Sequence, residues 1–371
     1  MRRLYMRKCL VLLLITVFWG CSEPEPAPTP DEEIVIEEPP PVEEQKPYFP
    51  PIQSGTWETV SPEDLGWNAA NLDDLHTFLA QENTKAFMVL HKGKIAVEKY
   101  YNNHSAYQTW QWNSAGKPLV TAVTGIAQQE GVLDINKPVS DYIGTGWTSA
   151  PVEKETLIQP YHLLSMSSGL SDETQYIVPA NLNYVADAGT RWSYHNVFQV
   201  LIDVVTQASQ QDFRDYFNAN LQGKIGMTGS WNYGSTFKIY HSNARSMARF
   251  GLLALHKGSW NEEEILNADF FNASISSSQS MNPAYGYMWW LNGKATYMLP
   301  GLEYVYSGSL IPNAPANMYA AMGYNEQRIY VVPDKELVII RMGEVTNLGE
   351  AYFEERGFDY QFWERLNAVI E

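Results

Sequence analysis

Ser114 and Lys117 stand three positions apart at the head of an apolar run, Ala115 to Glu130, and this pair is the first place where the chain offers chemistry. On a helix, positions i and i+3 share a face, so the Ser114 hydroxyl and the Lys117 amine can meet. A serine hydroxyl is a poor nucleophile at neutral pH without a base beside it. A lysine carried into apolar surroundings is costly unless it is paired or functional. The spacing alone is weak evidence, because Ser-x-x-Lys recurs at Ser235 and Lys238. That second copy follows Gly234 in a polar stretch and opens no apolar helix; context separates the two.

Lys117 can help Ser114 as a neutral amine, or as a cation that favours a deprotonated neighbour such as a tyrosinate. A tyrosine is therefore the partner to seek. Tyr194-His195-Asn196 supplies one, 194 − 114 = 80 positions after the serine, in a polar loop just ahead of an apolar helix. Tyr-x-Asn also occurs at Tyr100/Asn102, Tyr101/Asn103 and Tyr216/Asn218. The first two continue a strand and the third falls inside an amphipathic helix, so only Tyr194 is placed like the wall of a site.

The elements that must position these groups follow from hydrophobic periodicity. Ser61-Pro62-Glu63-Asp64 reads as a helix start, and Leu72, Leu75, Phe78 and Leu79 continue at helical spacing. Ala86–Leu90 and Ile95–Tyr100, joined by His91-Lys-Gly-Lys94, read as a hairpin. The helix carrying Lys117 holds several β-branched residues and Gly125, so burial rather than propensity must support it. Helices are expected at Gln159–Ser165, Val197–Ser209, Gln211–Asn220 and Ala244–His256, and a last one at Ala351–Val369. Strand signals return at Tyr285–Leu291, Tyr319–Met322, Arg328–Val332 and Leu337–Arg341. Strands from both ends with helices between them predict an α+β fold. One antiparallel sheet is flanked by helices, a mainly helical lobe is inserted, and a site lies in the cleft between.

Composition narrows the field further. The 371 residues, 45% apolar, suffice for a large core. The formal charge of -17 argues against nucleic acid as a partner. Residues 1–20 carry +4 and residues 21–46 carry nine acids and one lysine, leaving -17 - 4 + 8 = -13 for the rest. The two cysteines, Cys9 and Cys21, precede the folded part, so no disulfide framework or thiol nucleophile is expected there. The seven histidines are scattered without a metal-ligand pattern, and neither a metal nor another cofactor is expected.

Residues 1–20 read as a secretory signal: a basic start, then an apolar run from Cys9 to Trp19 too short to span a membrane comfortably. Ending in Gly20-Cys21, the segment resembles a bacterial lipoprotein signal, although Phe18 stands where leucine is usual. Cys21 would be the lipidated terminus, and Ser22 after it resembles outer-membrane sorting. Residues 21–54, rich in Pro and Glu, are expected to form an extended tether. The folded domain is then 55–371. The membrane contact is the lipid anchor alone, with a periplasmic or surface-facing outer-membrane location. Oligomeric state has no sequence signal.

Taken together, the motifs resemble those of the serine β-lactamase/penicillin-recognising superfamily. The likeness is to its class C-related branch of family VIII esterases, D-aminopeptidase-like enzymes and aminohexanoate-dimer hydrolases. Supporting stretches are Gly131-Val-Leu-Asp-Ile-Asn-Lys-Pro-Val, His162–Leu170, Met247–Leu253 and Tyr285-Gly-Tyr-Met-Trp-Trp290. The resemblance implies Ser114 as acylated nucleophile, Lys117 as the adjacent basic group, and Tyr194 as general base and proton donor to the leaving group. It also implies Asn196, Ala321 and Gly323 as substrate contacts, and an oxyanion hole made by the Ser114 N–H and one N–H from the strand around Ala320–Met322. The implied activity is cleavage of a small ester, a D-amino-acid peptide or an amide oligomer through an acyl-enzyme. A non-hydrolytic penicillin-binding-like sensor and a weak class C-type β-lactamase are the alternatives. One departure matters. The Lys/His-Thr/Ser-Gly triplet of the superfamily's β-lactamases is absent, and the region reads Asn317-Met-Tyr-Ala-Ala-Met-Gly-Tyr-Asn-Glu-Gln327. Gly323-x-x-x-Gln327 resembles the esterase and amidohydrolase branch, with Glu326 where glycine is frequent. Without the cation, a β-lactam carboxylate loses its usual partner while acyl transfer is untouched. Substrate choice is expected to lie in loops such as Asp172–Ala188 and Tyr304–Asn317.

Overall fold

The structure is a computed structural model that describes Gly20 and residues 46–53, 55–234, 237–348 and 357–371. The signal segment apart from Gly20, Cys21, the tether as far as residue 45 and Ser235 lie outside the described residues.

Six antiparallel strands form the main sheet: β1 (Thr84–His91), β2 (Lys94–Tyr100), β3 (Trp290–Leu291), β4 (Tyr319–Gly323), β5 (Gln327–Val332) and β6 (Leu337–Gly343). Their order is β2-β1-β6-β5-β4-β3, so a hairpin from the front of the chain pairs with strands from its end. β1, β5 and β6 are almost wholly buried because helices cover both faces, which explains their continuous apolar runs. On one face lie α1 (Leu72–Gln81) and α5 (Phe358–Ile370), with Phe362 against Phe87 and Tyr330. On the other lies α4 (Ala244–Leu255), pressed close because Gly251 meets Val338 and Ile329 without a side chain.

The helical lobe centres on α2 (Lys117–Gln129), every residue of which from Lys117 to Ala127 is buried. Gly125 proves to be a contact position, since a Cβ there would lie 2.5 Å from the Phe270 ring. α3 (Val200–Ser209) packs beside α2. A three-stranded sheet of Trp110–Gln111, Lys238–Ser242 and Gly229–Tyr233 supports the entry to α2.

Three expectations change. Ser61 caps a turn, accepting from the Asp64 N–H at 3.0 Å, and Gly66 at φ 71° ends it; the helix begins at Leu72. The strand expected at Tyr285–Leu291 shrinks to Trp290–Leu291 plus a lone bridge from Tyr285 to Trp290, because Met288 turns the backbone at φ 61°. The compact unit starts at Lys46 rather than Gly55. Phe49 packs on His256 and Trp260, and Arg249 donates to the carbonyls of Pro50 and Pro51 at 3.2 and 2.7 Å, so residues 46–53 belong to the body. Among the described residues no helix is long and apolar enough to cross a membrane.

Beneath β4 lies a buried ion pair. Arg328 donates to both Asp359 oxygens at 2.8 Å and to the Gly323 carbonyl at 2.9 Å, while Tyr330 donates to Asp359. Burial opposes the carboxylate, but Arg328 outweighs it and holds Asp359 below the ordinary range. Asp359→Ala would strand the guanidinium, and a loss of about 3–5 kcal/mol in denaturant unfolding is expected. Arg328→Met combined with Asp359→Leu should lose far less.

Candidate active site

Trp112 anchors the turn that presents Ser114. It is fully buried, its N–H donates to the Tyr240 carbonyl at 2.9 Å, and its indole donates to Ser242 Oγ at 2.8 Å. Asn113 then adopts φ 50°, a left-handed conformation that asparagine tolerates better than most residues, and its side chain donates to the Tyr324 carbonyl at 2.9 Å. Ser114 follows inside a 3₁₀ turn, Asn113–Gly116, that runs straight into α2. Sequence reasoning missed Asn113; its residue type at a strand-to-helix junction is the only signal available.

Across from this turn, Gly323 ends β4. A Cβ on Gly323 would lie 2.5 Å from the Trp112 carbonyl oxygen, 2.7 Å from the Ala115 nitrogen and 3.1 Å from the Ser114 nitrogen. Only glycine lets the strand lie along the serine's backbone. Ala321, two residues back and wholly buried, pairs with Ile329. The following loop is braced from behind. Gln327 Nε2 donates to the Asn325 carbonyl at 2.9 Å and to the Gly343 carbonyl at 2.5 Å. The buried Arg341 donates to the carbonyls of Asn325 and Glu326 at 2.6 and 3.1 Å. Asn325 and Glu326 sit at φ 59° and 51°, conformations that favour glycine, so Glu326 takes on backbone strain where glycine is frequent.

Lys117 is 3% exposed and donates to Ser114 Oγ at 2.6 Å. Its Nζ lies 4.5 Å from the Tyr194 ring centre and 4.7 Å from that of Phe198. No carboxylate pairs with it among the described residues, and burial pushes the amine down to about 7. Burial pushes the Tyr194 phenol up to about 12, against the opposing pull of its hydrogen bond with Ser114 and of the Arg328 charge. The Tyr194 ring stacks on Trp290 (5.7 Å, 26°) and meets Tyr285 edge-on (6.0 Å, 82°). Its neighbour His195 is buried, with Nε2 2.7 Å from the Thr174 carbonyl. Asn196 is half-buried and opens the 3₁₀ turn Asn196–Gln199 that leads into α3.

The structure thus brings Ser114, Lys117, Tyr194 and Gly323 together. Asn196 stands two residues beyond Tyr194, and Ala321 stands behind Gly323 on the strand. Beside Tyr194 opens a cavity of about 320 Å³, lined also by Asp172, Arg191, Leu299 and Glu303. Arg191 donates to Asp172 at 2.9 Å and to Glu303 at 2.6 Å. Sequence reasoning singled out the Asp172–Ala188 loop but not Arg191 or Glu303, since ion pairs between distant segments leave no local pattern. Among the described residues no cluster of three His, Cys, Asp or Glu is placed to hold a metal.

A family model described as Beta-lactamase matches residues 80–349. Among solved structures, a Bacteroides dorei protein assigned as a β-lactamase shares 16% identity at a TM-score of 0.64, covering 82% of this chain and 99% of that one. A Bacillus anthracis protein assigned as a 6-aminohexanoate-dimer hydrolase shares 17% at a TM-score of 0.64, covering 87% and 91%. EstCE1, a hydrolase with promiscuous acyltransferase activity, shares 12% at a TM-score of 0.62, covering 84% and 99%. At such identities these likenesses speak to the fold. No curated protein sequence matches the chain significantly.

The Lys117 amine carries a stability consequence with a definite sign. Its folded value of about 7 lies below the ordinary 10.5, so unfolding takes up a proton between those limits and stability rises with pH across them. Lys117→Met is therefore expected to raise the Tm by several degrees at pH 6, with the gain shrinking as pH climbs from 7 towards 10.5. Calorimetric scans across that range read the effect.

Proposed function

The chain belongs to the β-lactamase family, and from that premise we propose that it is a serine hydrolase that cleaves an ester or amide through an acyl-enzyme on Ser114. The observation that carries the reading is the 2.6 Å contact between Ser114 Oγ and a buried lysine whose amine is pushed down to about 7. Near neutral pH a large share of that amine is unprotonated and can accept the serine proton, whereas a phenol at about 12 is almost wholly protonated. This divides the labour differently from the resemblance, which makes Tyr194 the general base. Lys117 takes the proton as Ser114 Oγ bonds to the substrate carbonyl. Tyr194 then donates its phenolic proton to the departing oxygen or nitrogen and regains one from Lys117. Water reverses the sequence and frees the acid.

The developing oxyanion is met by the Ser114 N–H and a donor from the β4 end at Gly323, with Asn196 beside the substrate's amide or carbonyl. Ala321 contributes to that wall from behind. Support comes from the tight approach of Gly323 to the Ser114 nitrogen. Losing one donor of such a pair typically costs about 10²–10³ in rate. β-Lactams are poorer candidates than esters or amides, because the strand offers no Lys/His-Thr/Ser-Gly cation.

The test uses p-nitrophenyl esters of short acids, a chromogenic cephalosporin and a D-alanyl peptide. Ester turnover should vanish in Ser114→Ala and fall by about 10²–10⁴ in Tyr194→Phe. The kcat/KM should rise about tenfold per pH unit below a midpoint near 7 and then level off, because the active lysine is the unprotonated one. A midpoint that stays put in Lys117→Arg would refute the assignment. A stable Ser114 adduct without turnover would favour the penicillin-binding-like sensor.

Export and attachment by a lipid at Cys21 belong to the same proposal, supported by the apolar run to Trp19 and Gly20-Cys21. Labelled palmitate should tag the wild-type chain in a bacterial host and leave Cys21→Ser untagged.

A further inference from the structure

The cavity beside Tyr194 has a charge that the proposed reaction does not use. Because Tyr194 would hand its proton to the leaving group, the leaving half of the substrate must project into the space that Tyr194 helps to line; the inference rests on that reading. Three charged side chains border the space: Asp172, Arg191 and Glu303.

Arg191 is engaged there through two of its three nitrogens. Its Nε donates to Glu303 Oε1 at 2.6 Å and its Nη2 to Asp172 Oδ1 at 2.9 Å, while Nη1 is buried with no acceptor. Burial disfavours the Asp172 carboxylate, but the bonds from Ser193 and Arg191 overcome that and keep it ionised. Glu303 is different. Its side chain is 70% exposed, and its second oxygen accepts from no described residue. It lies in the loop between Thr296–Met298 and its partner strand Val305–Ser307, and it lines the space. One cation against two anions leaves the space with a net negative charge.

We infer that Glu303 is a specificity-determining residue, and that the cleft favours leaving groups carrying an ammonium over those carrying a carboxylate. An ammonium can approach the open Glu303 oxygen without displacing anything. A carboxylate meets repulsion from both acids, which already hold two of the three Arg191 nitrogens. Like charge at short range works against binding even in a partly aqueous setting. The nearby Lys117 supplies little compensation, being buried and tied to Ser114.

The experiment uses the full chain and three acetate esters with leaving phenols of matched acidity. They are tyramine O-acetate, 4-ethylphenyl acetate and 3-(4-acetoxyphenyl)propanoate. The expected kcat/KM order is ammonium, then neutral, then carboxylate, with the outer pair differing by about threefold to tenfold at low salt. The ratio should shrink as salt is added, and Glu303→Gln should bring it towards one. An ammonium-to-carboxylate ratio at or below one in the wild type overturns the inference, as does a ratio that Glu303→Gln leaves unchanged. The same question is settled without turnover by calorimetric binding of tyramine and 3-(4-hydroxyphenyl)propanoate. Tighter tyramine binding that weakens in Glu303→Gln supports it, and equal or reversed binding sinks it. Absence of hydrolysis with all three esters would count against the acyl-enzyme reading, and the binding pair would still decide the charge preference.

Discussion

The amine of Lys117 has been taken out of water without being given a counter-charge, and the rest of the site is arranged around keeping it so. A carboxylate within a few ångströms would stabilise the ammonium, raise its pKa and remove a base that works at neutral pH. The molecule instead places the faces of Tyr194 and Phe198 on either side and Ser114 Oγ at 2.6 Å. The aromatic faces lend a protonated amine some electrostatic support. The same burial drives Tyr194 the other way, since a phenol becomes charged on losing its proton and an amine on gaining one. One dry pocket therefore separates two proton-exchanging groups, from about 7 to about 12. Such an arrangement reduces stability, which is tolerable at a functional site and rare elsewhere.

A dry pocket has value only if the serine backbone is held against a second wall, and here the sheet contributes through charges buried on its far side. Arg328, fixed by Asp359, grips the Gly323 carbonyl from behind. Among the described residues Arg341 has no carboxylate partner; it spends its donors on the carbonyls of Glu82, Asn325 and Glu326. Gln327 binds Gly343 on the neighbouring strand in both directions, through its amide nitrogen and its oxygen. Together they determine where the β4–β5 loop can lie, and through Asn113 and Tyr324 that loop is tied to the turn that carries Ser114. Two buried cations are expensive in a strand core, and their placement behind one loop is what makes the expense intelligible.

The sheet was legible because its strands are short apolar runs bounded by turn residues, and β1, β5 and β6 fall where periodicity puts them. Ser114 and Lys117 were legible through spacing plus context, Tyr194 through its loop, and Gly323 through its motif. What periodicity could not supply were long-range pairings: the Arg191 bridge to Asp172 and Glu303, and the Arg328–Asp359 pair. These join residues 19, 31 and 112 positions apart, and charged residues leave no phase in an apolar pattern. The strand at Tyr285 was misjudged for a related reason. Tyr285-Gly-Tyr-Met-Trp-Trp290 is aromatic enough to resemble a strand, yet Tyr285 and Trp290 pack around Tyr194 and Met288 between them takes a left-handed turn. Tertiary demand overrode local propensity there.

The committed cations separate the capacity for acyl transfer from the choice of acyl donor. Lys117 is half-neutral and faces the serine; Arg328 and Arg341 lie behind the sheet; Arg191 is shared between two carboxylates. Among the four, only Arg191 keeps a donor unpaired, and that Nη1 is buried. On the proposed mechanism, a carboxylate-bearing β-lactam would have its carbonyl attacked and its acid poorly held. The missing triplet on the strand and the engaged Arg191 in the wall are independent observations, one from sequence and one from geometry. They push in the same direction, since each removes a place where a negative charge on the substrate could be neutralised. In this reading the chain keeps its family's nucleophile and base while the charge pattern of its cleft turns it towards other esters and amides.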